Sequence, residues 1–237
     1  MLSHKRPGAT SPHAALSTQQ ERSSATLERI LAAAEELLET REFSELTMAD
    51  LARSAGCAVG TVYGRIPNKQ SLLLCLHERH ISAGLGDAAR VFERCGDAEL
   101  EQRVRALASL LVDFLACRRG VTRAFTNHLF ARAAKDEDGT VARLRRDATV
   151  AFRQAATFLA AKVDTRIHAD PQTASEFALL AAHDVAQSRV VFGKRSGLGI
   201  RYSMKALKAR IAALLTAYLQ HGQEAPPSTA CPLDSRL

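Results

Sequence analysis

The sequence predicts an all-α protein in two parts, a small N-terminal unit built on a helix-turn-helix and a larger helical C-terminal part. Two observations carry the prediction. Apolar residues recur at helical spacing almost throughout residues 23–222, so each segment can bury one stripe and solvate the other. Near the start of that stretch, two short helical segments flank a turn at Gly56 and precede a longer one, which is the order of a helix-turn-helix.

Residues 1–22 hold Ser, Thr, Pro, Gln and His, with no acid before Glu21, and read as a disordered tail. His4, Lys5 and Arg6 would suit an arm on DNA phosphates, although a solvated terminus is the plainer reading. In the first helix Leu27, Ile30, Leu31, Ala34, Leu37 and Leu38 set one face, with Glu28, Glu35, Glu36 and Glu39 largely opposite. Thr47 and Asp50 form a capping-box variant that opens a short helix through Leu51 and Ala52. Gly56 ends it, being the residue best able to take a left-handed C-terminal conformation. Val59 to about Ile66 makes a third helix, stopped by Pro67. Asn68 caps a fourth, which turns Leu72, Leu73 and Leu76 inward and continues to about residue 90.

In residues 91–222, Leu100, Val104, Leu107, Leu111 and Leu115 form one helical stripe. Leu144, Ala148, Ala151, Ala155, Phe158 and Leu159 form another, and Phe125, His128 and Leu129 suggest a short helix between them. The acidic turn from Lys135 to Gly139 separates two of these. Asp170-Pro171 starts a helix carrying Phe177, Leu180, Ala181, Asp184, Val185 and Ser188. After a break from Gly193 to Gly199, Ile200, Met204, Leu207, Ile211, Leu214 and Tyr218 mark the last helix. Residues 223–237, with Pro226, Pro227 and Pro232, read as a second tail.

Composition excludes several classes. With 46% hydrophobic and 24% charged residues, the chain of 237 residues lies in the globular range. Its five cysteines are odd in number and never form C-x-x-C, so neither a disulfide framework nor a zinc knuckle is indicated. No apolar run reaches the ~18 residues of a membrane helix, and the N-terminus lacks the apolar core of a secretory signal; the expectation is a cytoplasmic protein away from membranes. The net charge of +7 does not locate a binding face, because residues 1–90 balance 10 basic against 10 acidic residues and the later part holds 22 against 15. That excess reads as a solvated face, or as a preference for an anionic effector.

The third helix carries the residues that suit DNA. Gly60 and Thr61 would let a helix backbone approach a phosphate strand closely, and Tyr63 offers a phenolic donor. Lys69 adds its charge to the exposed amides of the fourth helix's first turn. From Leu27 to Leu72 the chain reads AAAEELLE and then FSELTMADLARSAGCAVGTVYGRIPNKQSL. This stretch resembles the N-terminal domain of the TetR family of transcriptional regulators, the matching positions including Ala33, Phe43, Thr47, Leu51, Ala52, Ala55, Gly56, Gly60, Thr61, Tyr63, Lys69 and Leu72.

The resemblance implies an all-α fold with a helix-turn-helix DNA-binding domain and a C-terminal effector-binding and dimerisation domain. It also implies that Thr47, Tyr63 and Lys69 grip phosphates, while Val59, Thr61, Gly64 and Arg65 lie on or beside the reading face. Arg65 is the long donor suited to a guanine. Three departures stand out: Glu42 for a glycine, Ala58 for a hydroxyl residue, and Ile66 for a phenylalanine. Ala58 costs a helix cap worth about 1 kcal/mol, and Gly64 within a short helix a similar amount.

The same resemblance places a homodimer interface on the last two helices, about 171–193 and 199–221, and an effector pocket in the helices before them. Phe114, Phe125, Asn127, His128, Phe130 and Phe152 are its candidates, because aromatic and polar groups share those helices; plain core packing is the alternative for each. The partners implied are a double-stranded operator, a second copy of the chain and a small molecule of unknown identity, or a protein partner in place of the small molecule. No cofactor is implied. No E-x-x-H pair, nucleophile elbow or phosphate-binding glycine loop points to an enzyme. Cys75, His77 and His80 make the most tempting metal cluster, yet without a further ligand the two histidines read as a solvated pair.

Overall fold

The computed structural model describes residues 12–132, 139–193 and 202–222. All regular elements among them are helices, and the chain divides into two compact units at Leu76 and His77. That division falls inside the fourth helix.

The first unit contains α1 (Pro12–Thr40), α2 (Met48–Ser54), α3 (Val59–Tyr63) and the start of α4 (Lys69–Cys95). α1 begins within the stretch whose composition reads as a tail, with Pro12 in its first turn, a place proline tolerates because the missing N–H is unbonded there anyway. Its predicted apolar face is buried at Ile30, Leu31, Ala34 and Leu38. These side chains share the core with Leu46, Leu51, Val62, Ile66, Leu72 and Leu73, each removal from water contributing roughly 1.5–3 kcal/mol.

Local hydrogen bonds fix where these helices start and stop. The Thr47 hydroxyl accepts from the Asp50 amide at 3.1 Å, and the Asp50 carboxylate accepts from the Thr47 amide at 3.3 Å, completing the capping box. At the far end Gly56 has φ 61°. Around it the Cys57 amide donates to the Ala52 carbonyl and the Gly56 amide to that of Arg53, at 3.0 and 3.3 Å, the paired bonds of a Schellman turn. Asn68 opens α4 by accepting from the Ser71 amide at 2.8 Å.

The second unit holds the rest of α4, α5 (Leu100–Cys117), α6 (Arg119–Arg132), α7 (Thr140–Ala160), α8 (Pro171–Val190) and α9 (Met204–His221). α5 is the hub, packing on α7, α8 and α9 through Val104, Leu107, Ala108, Val112 and Leu115. Asp170 caps α8 by accepting from the Thr173 amide, with Pro171 behind it, and Ser203 caps α9 through the Ala206 amide. The stripe expected on α7 is realised at Leu159 and completed by Ala156, while Ala148 is exposed.

Arg103 ties this unit together from within. The residue is buried, 6% exposed, and its guanidinium donates to the carbonyls of Gly96, Ala98 and Phe158 at 2.8, 2.9 and 2.7 Å and stands over the Phe158 ring, 4.4 Å from its centroid. The planar fork of arginine suits three divergent carbonyls. No helix among the described residues is long and apolar enough to cross a membrane, nor does any group of three His, Cys, Asp or Glu among them stand where it could hold a metal ion.

Candidate nucleic-acid interface

The turn at Gly56 delivers α3 with one face inward. Val62 and, just past the helix, Ile66 are fully buried; they sit four apart and anchor the segment to the core. Val59 and Tyr63, 41% and 51% exposed, point outward with Gly60, Gly64 and Arg65, and Thr61 is half-buried. The helix is shorter than the sequence suggests. It ends with Gly64 as its C-terminal cap, and Ile66 follows in a turn whose amide donates to the Val62 carbonyl at 2.8 Å. No side chain caps its start at Ala58.

Nothing in the chain itself requires glycine at position 60. A Cβ there would meet no atom within 4 Å, and the backbone is helical, where glycine costs roughly 0.5–1 kcal/mol relative to alanine.

Two of the predicted phosphate ligands are engaged within the chain. The Thr47 hydroxyl donates to Asp50 Oδ2 at 2.6 Å while serving as cap. That bond holds the Asp50 carboxyl below its usual pKa, with Arg41 and Arg53 nearby adding to the effect. Lys69 Nζ donates to the Ser44 carbonyl at 2.9 Å and lies 5.0 Å from the centre of the Phe43 ring; partial burial lowers its pKa. An ammonium carries three donors, so the bond to Ser44 leaves others for a phosphate.

In the second unit the pocket candidates part company. Phe114 and Phe125 converge on His80, their ring centroids 4.3 and 5.8 Å from its own, and His77 meets Phe125 edge-on at 5.0 Å. His77 and His80 are 5% and 7% exposed, which corrects the expectation of a solvated pair. The α4 stripe that begins at Leu72 carries on inward through both, and sequence spacing alone does not reveal that another aromatic surface waits for it. Asn127 is exposed and His128 half-buried on α6, whereas Phe152 packs on the larger core around α5. The Phe130 side chain lies outside the described residues.

Residues 30–76 match the family described as bacterial regulatory proteins, tetR family. The HTH-type transcriptional regulator EthR of Mycobacterium tuberculosis is 27% identical over 170 residues, 71% of this chain and 74% of that protein. A putative TetR-family transcriptional regulator from Mesorhizobium loti has the same fold, with a TM-score of 0.63 at 20% identity over 84% of this chain and 96% of that one. So has a putative transcriptional regulator from Saccharomonospora viridis solved in complex with choline, with a TM-score of 0.63 at 17% identity over 84% and 97%. The match falls on the very helices that present Val59, Tyr63 and Arg65: over residues 30–76 the chain is similar to the tetR family of bacterial regulatory proteins, and over a longer stretch to a transcriptional regulator of the HTH type.

Proposed function

We propose that the chain is a cytoplasmic repressor which binds a palindromic operator as a dimer and is released by a small molecule held in its second unit. The observation that carries this reading is the outer surface of α3: exposed Val59, Tyr63 and Arg65 around a Gly60 whose side-chain space is open. A short helix with a smooth patch between two long side chains fits a major groove, where the patch meets the backbone and Arg65 reaches a base edge. Thr47, Tyr63 and Lys69 then hold phosphates, which position the helix without reading sequence.

One such helix covers only a few base pairs, so affinity requires two, one duplex turn or ~34–36 Å apart. α8 and α9 supply a surface for pairing: Phe177, Leu180, Val185 and Leu214 are 59%, 52%, 41% and 50% exposed, and Phe177 lies 5.5 Å from Tyr218, ring centre to ring centre, across the two helices. An apolar face of this kind is what a symmetric partner covers. The solved neighbour that holds choline lends support to a small-molecule effector.

A duplex taken from beside the protein's own gene tests the reading. Fluorescence anisotropy is expected to show binding at nanomolar dimer with steep salt dependence, a uniform loss for Tyr63→Ala on operator and random DNA, and an added loss of base preference for Arg65→Ala. A chain that sediments as a monomer and ignores duplex DNA overturns it. Operator binding that answers to no small molecule would turn the regulatory half towards a protein partner.

A further inference from the structure

Among the buried polar atoms of the second unit that lack a hydrogen-bond partner, two belong to side chains beside one aromatic cluster. His80 of α4 and Thr122 of α6 are each 7% exposed, and neither His80 Nδ1 nor Thr122 Oγ1 has a hydrogen-bond partner among the described residues. Leaving a buried donor or acceptor unmet costs folding free energy, so such groups in native proteins demand an explanation. Their surroundings are aromatic: the His80 ring packs on Phe114 and Phe125, and Thr122, three residues before Phe125 on the same helix, shares its face.

Neighbouring polar groups are already served. The Thr126 hydroxyl donates to the Thr122 carbonyl at 3.0 Å, and Gln187 of α8 donates to the Thr126 oxygen at 2.6 Å. Arg118 stands over Phe114, 4.8 Å from the ring centre, with its charge facing Asp87 at 4.0 Å. His80 Nδ1 and the Thr122 hydroxyl stay unmet beside these rings.

We infer that His80 and Thr122 form the polar end of the effector site, and that it takes a neutral aromatic molecule bearing a hydroxyl group. The ligand's hydroxyl donates to the imidazole nitrogen and accepts from the threonine, while its ring packs against Phe114 and Phe125 in the tilted and edge-on geometries that aromatic pairs favour. Phe114, half-buried at the margin of the cluster, is the ring that swings to admit it. A carboxylate is disfavoured: burial, with Arg118 and His77 adding to it, holds the His80 pKa at about 3, so the imidazole is uncharged near neutrality. This inference rests on the effector-gated reading above and supplies its ligand class.

Calorimetry on the full chain tests it with phenol and 2-naphthol as probes, toluene and naphthalene as hydrocarbon controls, and benzoate and 2-naphthoate as charged ones. The hydroxylated probes are expected to bind saturably, one per chain, at least about tenfold more tightly than either control set. Thr122→Val and His80→Phe are expected to erase that preference while leaving the thermal midpoint of the free protein unchanged or higher, because a stranded polar atom has gone. Absence of saturable binding for both hydroxylated probes overturns the inference. So does a fall in midpoint in both variants with the preference intact, which marks the two groups as structural. Adding the probes to the operator complex separates the two claims. Wild-type binding without operator release keeps the site and removes gating; release that persists in Thr122→Val removes the site and keeps gating.

Discussion

Lys69 Nζ donates to the carbonyl oxygen of Ser44 across 2.9 Å, while the same ammonium stands over the ring of Phe43. A residue assigned to phosphate contact thus also pins the first turn of α4 to the segment preceding α2. Lys69→Met keeps the aliphatic stem and removes the charge and the bond. It is expected to lower stability by about 0.5–1.5 kcal/mol and to reduce the logarithmic salt slope of DNA binding by about 1. A slope equal to that of the parent would leave Lys69 with its structural task alone.

Gly60→Ala separates folding from binding. The added methyl group meets nothing in the chain, so denaturant titration is expected to show a gain of about 0.5–1 kcal/mol from helix propensity. Under the proposed function operator affinity should fall, because the methyl group would occupy the space through which a phosphate strand approaches. Unchanged affinity would show that no DNA backbone comes close at this position.

Arg103→Met leaves the carbonyls of Gly96, Ala98 and Phe158 without their shared donor. Urea unfolding is expected to show a loss of about 3 kcal/mol. Arg103→Lys should recover only part of it, since one ammonium cannot span three carbonyls arranged around a plane. Complete rescue by lysine would mean that charge, not the fork, matters here.

Acid should weaken the fold through His80. Its pKa falls from 6.5 to about 3 on burial, so below pH 6.5 the unfolded chain takes up a proton that the folded chain refuses. Stability is therefore full above pH 6.5 and is lost as pH falls from there towards 3, by about 2 kcal/mol at pH 5. His80→Phe is expected to flatten the pH dependence of the thermal midpoint between pH 7 and 5. A parallel curve for the variant would assign the acid sensitivity elsewhere.

Features set by bonds three or four residues long were legible in the sequence. The cap at Thr47 and Asp50, the left-handed Gly56, Asn68 at the start of α4 and Asp170-Pro171 at the start of α8 all stand where their chemistry places them. What escaped depends on partners far along the chain. Nothing local marks Arg103, since the carbonyl of Phe158 that it meets lies 55 residues away. The spacing of His77 and His80 suggests a solvated pair because the rings that bury them arrive on α5 and α6. The early end of α3 at Gly64 reflects competition between helix propensity and the need to bring Ile66 into the core, which a local pattern weighs poorly.

Because α3 is tied to the interior by Val62, with Ile66 just beyond it, and shows Val59 and Tyr63 to the outside, its anchoring and its outward face are carried by different residues. Changes at Val59, Tyr63 or Arg65 leave the core untouched, so under the proposed function the preferred DNA sites can drift in evolution without a thermodynamic penalty to the protein. Val62 and Ile66 enjoy no such liberty, and any lineage that alters them must repack its scaffold first.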